Sequence, residues 1–214
     1  MADQLPLNFQ PAPKPISSFE YEDIAEGFGY VKYYLSAQIH STGTDYIIGT
    51  DVNYSSEIAL GYGGTATTTD TFYSGTFQRP REVKGIVKFN FCAGIRGSNP
   101  TIVGYQIKLY HYDGSTSTQI GSTWTSAEQT SAGANEIHWY NGSITAAQTH
   151  FAIGDQIKME VIMNKSGAGI VSLSEIGIDP QNRNSTDASP ILIPGTNSED
   201  FTTFTLRVPY KVDA

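Results

Sequence analysis

Four histidines, His40, His111, His138 and His150, are the first residues to weigh for chemistry, because imidazoles at short spacing bind metals. They lie far apart with no H-E-x-x-H pattern, and read as ordinary strand and turn histidines. No G-x-S-x-G elbow and no G-x-x-x-x-G-K-[ST] loop is present, which removes the usual sequence support for a serine hydrolase or a P-loop enzyme. Gly61-Tyr62-Gly63-Gly64 has the glycines of a phosphate loop but neither the following lysine nor a βαβ frame, and reads as a turn. A glycosidase needs two carboxylates about 5–10 Å apart, a separation that dispersed loop Asp and Glu residues do not reveal. Residues 179–187 offer several oxygen ligands for Ca²⁺. They lack the glycine and terminal acid of an EF-hand loop, and read as an Asx-rich loop that satisfies its own backbone. Cys92, the single cysteine, reads as a small buried hydrophobe. The expectation is a chain with no catalytic residue, no metal ligand and no cofactor, and therefore not an enzyme.

Aromatic side chains remain. Tyr110 and Tyr112 fall on the strand face opposite Ile107 and Leu109, beside Asp113-Gly114, with Trp124, Trp139 and Tyr140 further along. Three uses are open to them: cross-strand pairing, anchoring a protein interface, or stacking on sugar rings. Tyr110 and Tyr112 are taken as candidate interface residues.

The elements that must carry these residues are strands. Val83, Val87, Phe89 and Phe91 alternate with Lys84, Lys88 and Asn90. Val103, Tyr105, Ile107 and Leu109 alternate with Gly104, Gln106 and Lys108. The same period of two runs through Ile157–Asn164 and from Phe204 to Val212, placing one face in a core and the other in water. Further strands are expected at 28–39, 45–54, 70–77, 117–125 and 135–140. Asp113-Gly114 and Asn141-Gly142 read as tight hairpin turns, and Pro209 reads as the mark of an edge strand. No window has the 3.6 periodicity of a long helix. The expected fold is all-β: an antiparallel β-sandwich, of jelly-roll type, with an extended N-terminal arm.

The formal charge of −8 argues against nucleic acid and anionic membranes as partners. The first 26 residues lack the basic and apolar regions of a secretory signal, and no apolar run approaches the ~20 residues of a membrane helix. Synthesis in a reducing cytoplasm is expected, where the four N-x-[ST] sequons would stand unmodified. Four of the ten prolines lie in the first fifteen residues, where they preclude a helix interior or a central strand. Residues 1–26 are therefore read as an extended arm with an acidic connector, and 27–214 as the sandwich. Leu7, Phe9, Pro11, Pro13 and Pro15 are the arm's candidate contacts.

Four stretches carry a resemblance: Phe77-Gln78-Arg79-Pro80-Arg81-Glu82-Val83-Lys84-Gly85, Thr149-His150-Phe151-Ala152-Ile153-Gly154-Asp155, Asp179-Pro180-Gln181-Asn182-Arg183, and Leu206-Arg207-Val208-Pro209-Tyr210-Lys211-Val212. In this order they resemble virion structural proteins of tailed bacteriophages, over about residues 70–212. The resemblance implies a virion protein, a capsid decoration or head–tail component. Its partners would be other virion proteins and further copies of itself, in a trimer by analogy with decoration proteins. It carries over no active-site residue. The alternative is a carbohydrate-binding host-recognition module using Tyr110, Tyr112 and Trp124; a glycan-cleaving depolymerase ranks below both.

Overall fold

In the computed structural model, residues 17–18, 28–40, 45–52, 59–64, 66–98, 101–131, 135–166, 170–182 and 202–211 are described. They form fourteen strands and no helix: β1 (Ser17–Ser18), β2 (Phe28–Ile39), β3 (Tyr46–Gly49), β4 (Ala59–Tyr62), β5 (Thr68–Ser74), β6 (Arg81–Ser98), β7 (Thr101–Tyr112), β8 (Ser117–Gln119), β9 (Trp124–Thr125), β10 (Gln129–Ser131), β11 (Asn135–Phe151), β12 (Gln156–Ser166), β13 (Ile170–Gly177) and β14 (Thr205–Lys211). The arm's contacts Leu7, Phe9, Pro11, Pro13 and Pro15 lie outside the described residues, but Ser17 and Ser18 pair with Val31 and Tyr30 at the sheet's margin.

One hydrogen-bonded path runs β10-β7-β12-β5-β3-β2-β14-β6-β13-β4, with β11 on the other side of β6. The sheet folds over so that its two halves face each other, as in a β-sandwich. Tyr105 on β7 meets Phe91 on β6 and Tyr140 on β11, with ring centroids 5.7 and 5.1 Å apart. The inward residues are those that alternation selected: Val83, Val87, Phe89, Phe91, Val103, Ile107, Leu109, Met159, Val161 and Leu206 are all buried. One departure from the antiparallel expectation is the β3–β5 pair, which is parallel, Tyr46 standing opposite Phe72. A chain that leaves β3 and returns two strands later arrives in the same direction, and no hairpin ties these two together.

Asp113-Gly114 is the expected turn. Gly114 has φ +93°, and Asp113 Oδ1 accepts from the Ser115 and Thr116 amides at 2.8 and 2.7 Å. Asn141-Gly142 is not a turn; it lies mid-strand in β11, opposite Asn90 and Phe89. Glycine is needed there for packing, since a β-carbon at 142 would lie 2.3 Å from Phe89 and 2.8 Å from Trp124. Pro209 is not on an edge either: β14 is flanked by β2 and β6. The ladder to β6 breaks between Arg207 and Tyr210, and Gly85 stands beside the proline ring with φ +113°, a backbone conformation that favours glycine. A bulge supplies what an edge would have supplied, a position with no hydrogen bond to donate.

The resembling stretches form structural joints. Phe77 packs edge-on against Phe151 and Tyr210, at 5.2 and 6.0 Å, and its backbone exchanges hydrogen bonds with Gly154 and Asp155. Three of the four stretches thus meet at one end of the sandwich. The fourth makes an Asx turn, with Asp179 Oδ1 accepting from the Gln181 amide at 3.0 Å.

Candidate binding face

The outer face of β2, β14, β6 and β11 is a grid set by register. One row reads Tyr34–Thr205–Asn90–Asn141, and the next Lys32–Arg207–Lys88–Ser143. Alternation points all eight side chains outward, since their chain neighbours Tyr33, Leu206, Phe89 and Tyr140 fill the core. Three cations therefore stand opposite one another on three adjacent strands, an arrangement that costs energy unless something compensates it. Among the described residues none of the three has a carboxylate partner; the lysine ion pairs join Lys158 to Glu160 at 2.9 Å and Lys211 to Glu82 at 4.0 Å. Two of the ammoniums rest on rings: Lys32 Nζ is 4.8 Å from the Tyr34 ring centre, and Lys88 Nζ 5.8 Å from that of Tyr30.

Depressions flank this row. A groove of about 680 Å³ is bordered by Ile86, Lys88, Asn90, Asn141, Ser143 and Arg207. A second hollow of about 330 Å³ lies against Lys32, Tyr34, Thr205, Arg207, Pro180 and Asn182. Thr205 donates its hydroxyl to Asn90 Oδ1, which directs the amide NH₂ of Asn90 elsewhere.

Tyr110 and Tyr112 occupy the opposite outer face, on β7, half-buried and internally satisfied. Tyr110 donates to Glu160 Oε2 at 2.8 Å beneath Lys158, and burial, then Glu160, pushes its hydroxyl up to about 12. Tyr112 donates to the Gly114 carbonyl at 2.8 Å and packs edge-on against Tyr73, which stacks on His40. Trp124 does not join them. Opposite the inward Ile107, it packs on Phe89 from the core side, so the sheet separates it from both tyrosines.

His111 bonds Asp155 at 2.5 Å, and the same carboxylate oxygen accepts from the Ala152 amide at 2.7 Å. This pair holds the β11–β12 joint. A second polar knot joins β4, β5 and β12. Tyr62 donates to Asp70 Oδ1 at 2.5 Å, and Lys165 Nζ donates to the Tyr62 carbonyl at 3.1 Å. Burial raises Asp70 to about 6 and lowers the Lys165 ammonium. No three His, Cys, Asp or Glu side chains converge among the described residues.

Sequence reasoning missed the cation row. Alternation places Lys88 and Arg207 on the polar sides of their strands, but no pattern within one strand says which residues of another stand opposite.

No family model matches the chain, and no curated protein matches it. Solved structures of similar fold include a CocE/NonD family hydrolase from Staphylococcus aureus, 12% identical at a TM-score of 0.47 over 85% of this chain and 36% of that one. They also include an α-amino acid ester hydrolase, 10% identical at 0.41 over 84% and 35%. A third is the T13 particle of infectious bursal disease virus, 17% identical at 0.30 over 82% and 40%. The chain spans about a third of those hydrolases' length. These likenesses concern a sheet-rich fold. The expectation that the chain is not an enzyme is corrected by this finding: the structures it is similar to include hydrolases. At these identities the likeness passes no activity to this chain.

Proposed function

We propose that the chain is a virion structural protein that works by assembly, adding its sandwich to neighbouring proteins of the particle. The observation that supports this most is β11. Among the described residues this long strand pairs with β6 alone. Near Thr145 its second edge is covered by the turn at Gly121, where a β-carbon would lie 2.4 Å from the Thr145 carbonyl oxygen. From 135 to 143 no described strand covers it. Edge strands are ordinarily guarded by lysine, proline or a bulge. This stretch has neither residue, and it presents Trp139, 41% exposed. An edge in this form accepts a strand from another subunit, and an exposed tryptophan suits the centre of such a contact. The resemblance to tailed-phage virion proteins favours a decoration or head–tail position and a homotrimer, with residues 1–26 as a docking arm.

Light scattering in line with size exclusion tests this. The full chain is expected to form a defined oligomer that falls to monomer on Trp139→Lys, with the strand signal in circular dichroism retained. A full chain that stays monomeric at every concentration and fails to join particles would overturn the proposal.

A further inference from the structure

A row of three like charges is conspicuous on a chain whose formal charge is −8. Neighbouring strands lie about 4.8 Å apart, so Lys32, Arg207 and Lys88 present positive groups over roughly 10 Å, across the strands rather than along one. Fold stability does not ask for this, because opposed like charges repel.

We propose that this row and its two flanking hollows form a binding site for an acidic oligosaccharide, a sugar chain bearing carboxylates or sulfates. Three features of the grid select that ligand. The cations supply charge-assisted hydrogen bonds, Arg207 as a planar fork and the lysines as point charges already seated on Tyr34 and Tyr30. The adjoining row supplies the amides of Asn90 and Asn141, partners that sugar hydroxyls require, with Thr205 spending its own hydroxyl on holding Asn90. Hollows on both sides of Arg207 accommodate a chain that continues past the charged row rather than a point anion. An extended acidic peptide fits less well, because its same-face side chains recur every ~6.7 Å, out of step with the ~4.8 Å row. Nucleic acid would meet only three cations on an otherwise acidic molecule. Tyr110 and Tyr112 take no part, their hydroxyls already being bonded within the protein.

Calorimetric titration of the full chain with a hexameric oligogalacturonate and with a sulfated dextran oligomer tests the site. The expected result is binding to at least one of them that weakens with added salt. It should fall about tenfold in Lys88→Gln and in Arg207→Gln, the loss of one charge-assisted contact each. It should be unchanged in Lys158→Gln on the opposite face. Both grid residues are exposed, so melting temperatures should stay constant. The carboxylated and sulfated arms identify the acid group. Binding to neither sugar, wild-type affinity in both grid variants, or equal affinity for hexaglutamate or a DNA oligomer would overturn the proposal. The site takes Asn141 and Ser143 from β11 through their outward side chains and not through its backbone edge, so the light-scattering result neither supports nor removes it.

Discussion

Asp70 and Tyr105 are both buried polar residues, and they differ in what surrounds the polar atom. Asp70 receives the Tyr62 hydroxyl, yet burial outweighs that bond and holds its carboxyl at about 6 against 3.8 ordinarily. Because the folded value is the higher one, the folded state keeps a proton that the unfolded chain releases above pH 4. Stability should therefore fall between about pH 4 and 6 and be flat for this group above that, by about 3 kcal/mol in all. Asp70→Asn should remove that slope in urea denaturation followed from pH 4 to 7; an unaltered slope would place its origin elsewhere. Tyr105 is fully buried, and among the described residues its hydroxyl has no hydrogen-bond partner. Tyr105→Phe keeps the ring contacts with Phe91 and Tyr140 and deletes an unpaired polar atom, so it should stabilise by about 1 kcal/mol. An increased urea midpoint at constant slope is the readout. Neither environment is legible in the sequence. Tyr105 sits in a clean alternating run that marks it as inward, but what its hydroxyl meets depends on strands far along the chain.

Strands were legible wherever one face is buried and the other wet, as along β6, β7, β12 and β14. Failures came where glycine and proline do something other than punctuate. Gly142 looks like half of a hairpin dipeptide, yet it lets Phe89 lie flat across β11. Gly142→Ala should destabilise by about 1–3 kcal/mol through overpacking. Gly85→Ala should cost about 1–3 kcal/mol for a different reason, a backbone strained at φ +113° beside Pro209. Chemical denaturation of the two variants separates them if Pro209→Ala is added. Since the strain at 85 is the backbone's own, the loss in Gly85→Ala should persist in the double variant. A loss that disappears would make the proline ring its cause.

On the scale of the molecule, the first long strand and the last are neighbours, Phe28 standing opposite Lys211. The sheet therefore closes only when both ends of the chain have arrived, and the described core begins at Tyr33. A fragment of residues 27–214 should consequently melt cooperatively near the full chain's temperature, as followed by circular dichroism. A fragment ending at residue 203, without β14, should not fold, since β2 and β6 lose the strand between them. Strand class, the inward residues and the Asp113 turn are legible in the residues alone, because each follows from an alternation or a dipeptide read over a few neighbouring positions. The parallel β3–β5 pair, the bulge that admits Pro209, the separation of Trp124 from Tyr110, and the meeting of Lys32, Arg207 and Lys88 emerge with the folded sheet. Those depend on register between distant strands, Lys32 and Arg207 being 175 positions apart, and register is set by the packing of the whole sheet rather than by any pattern within one strand.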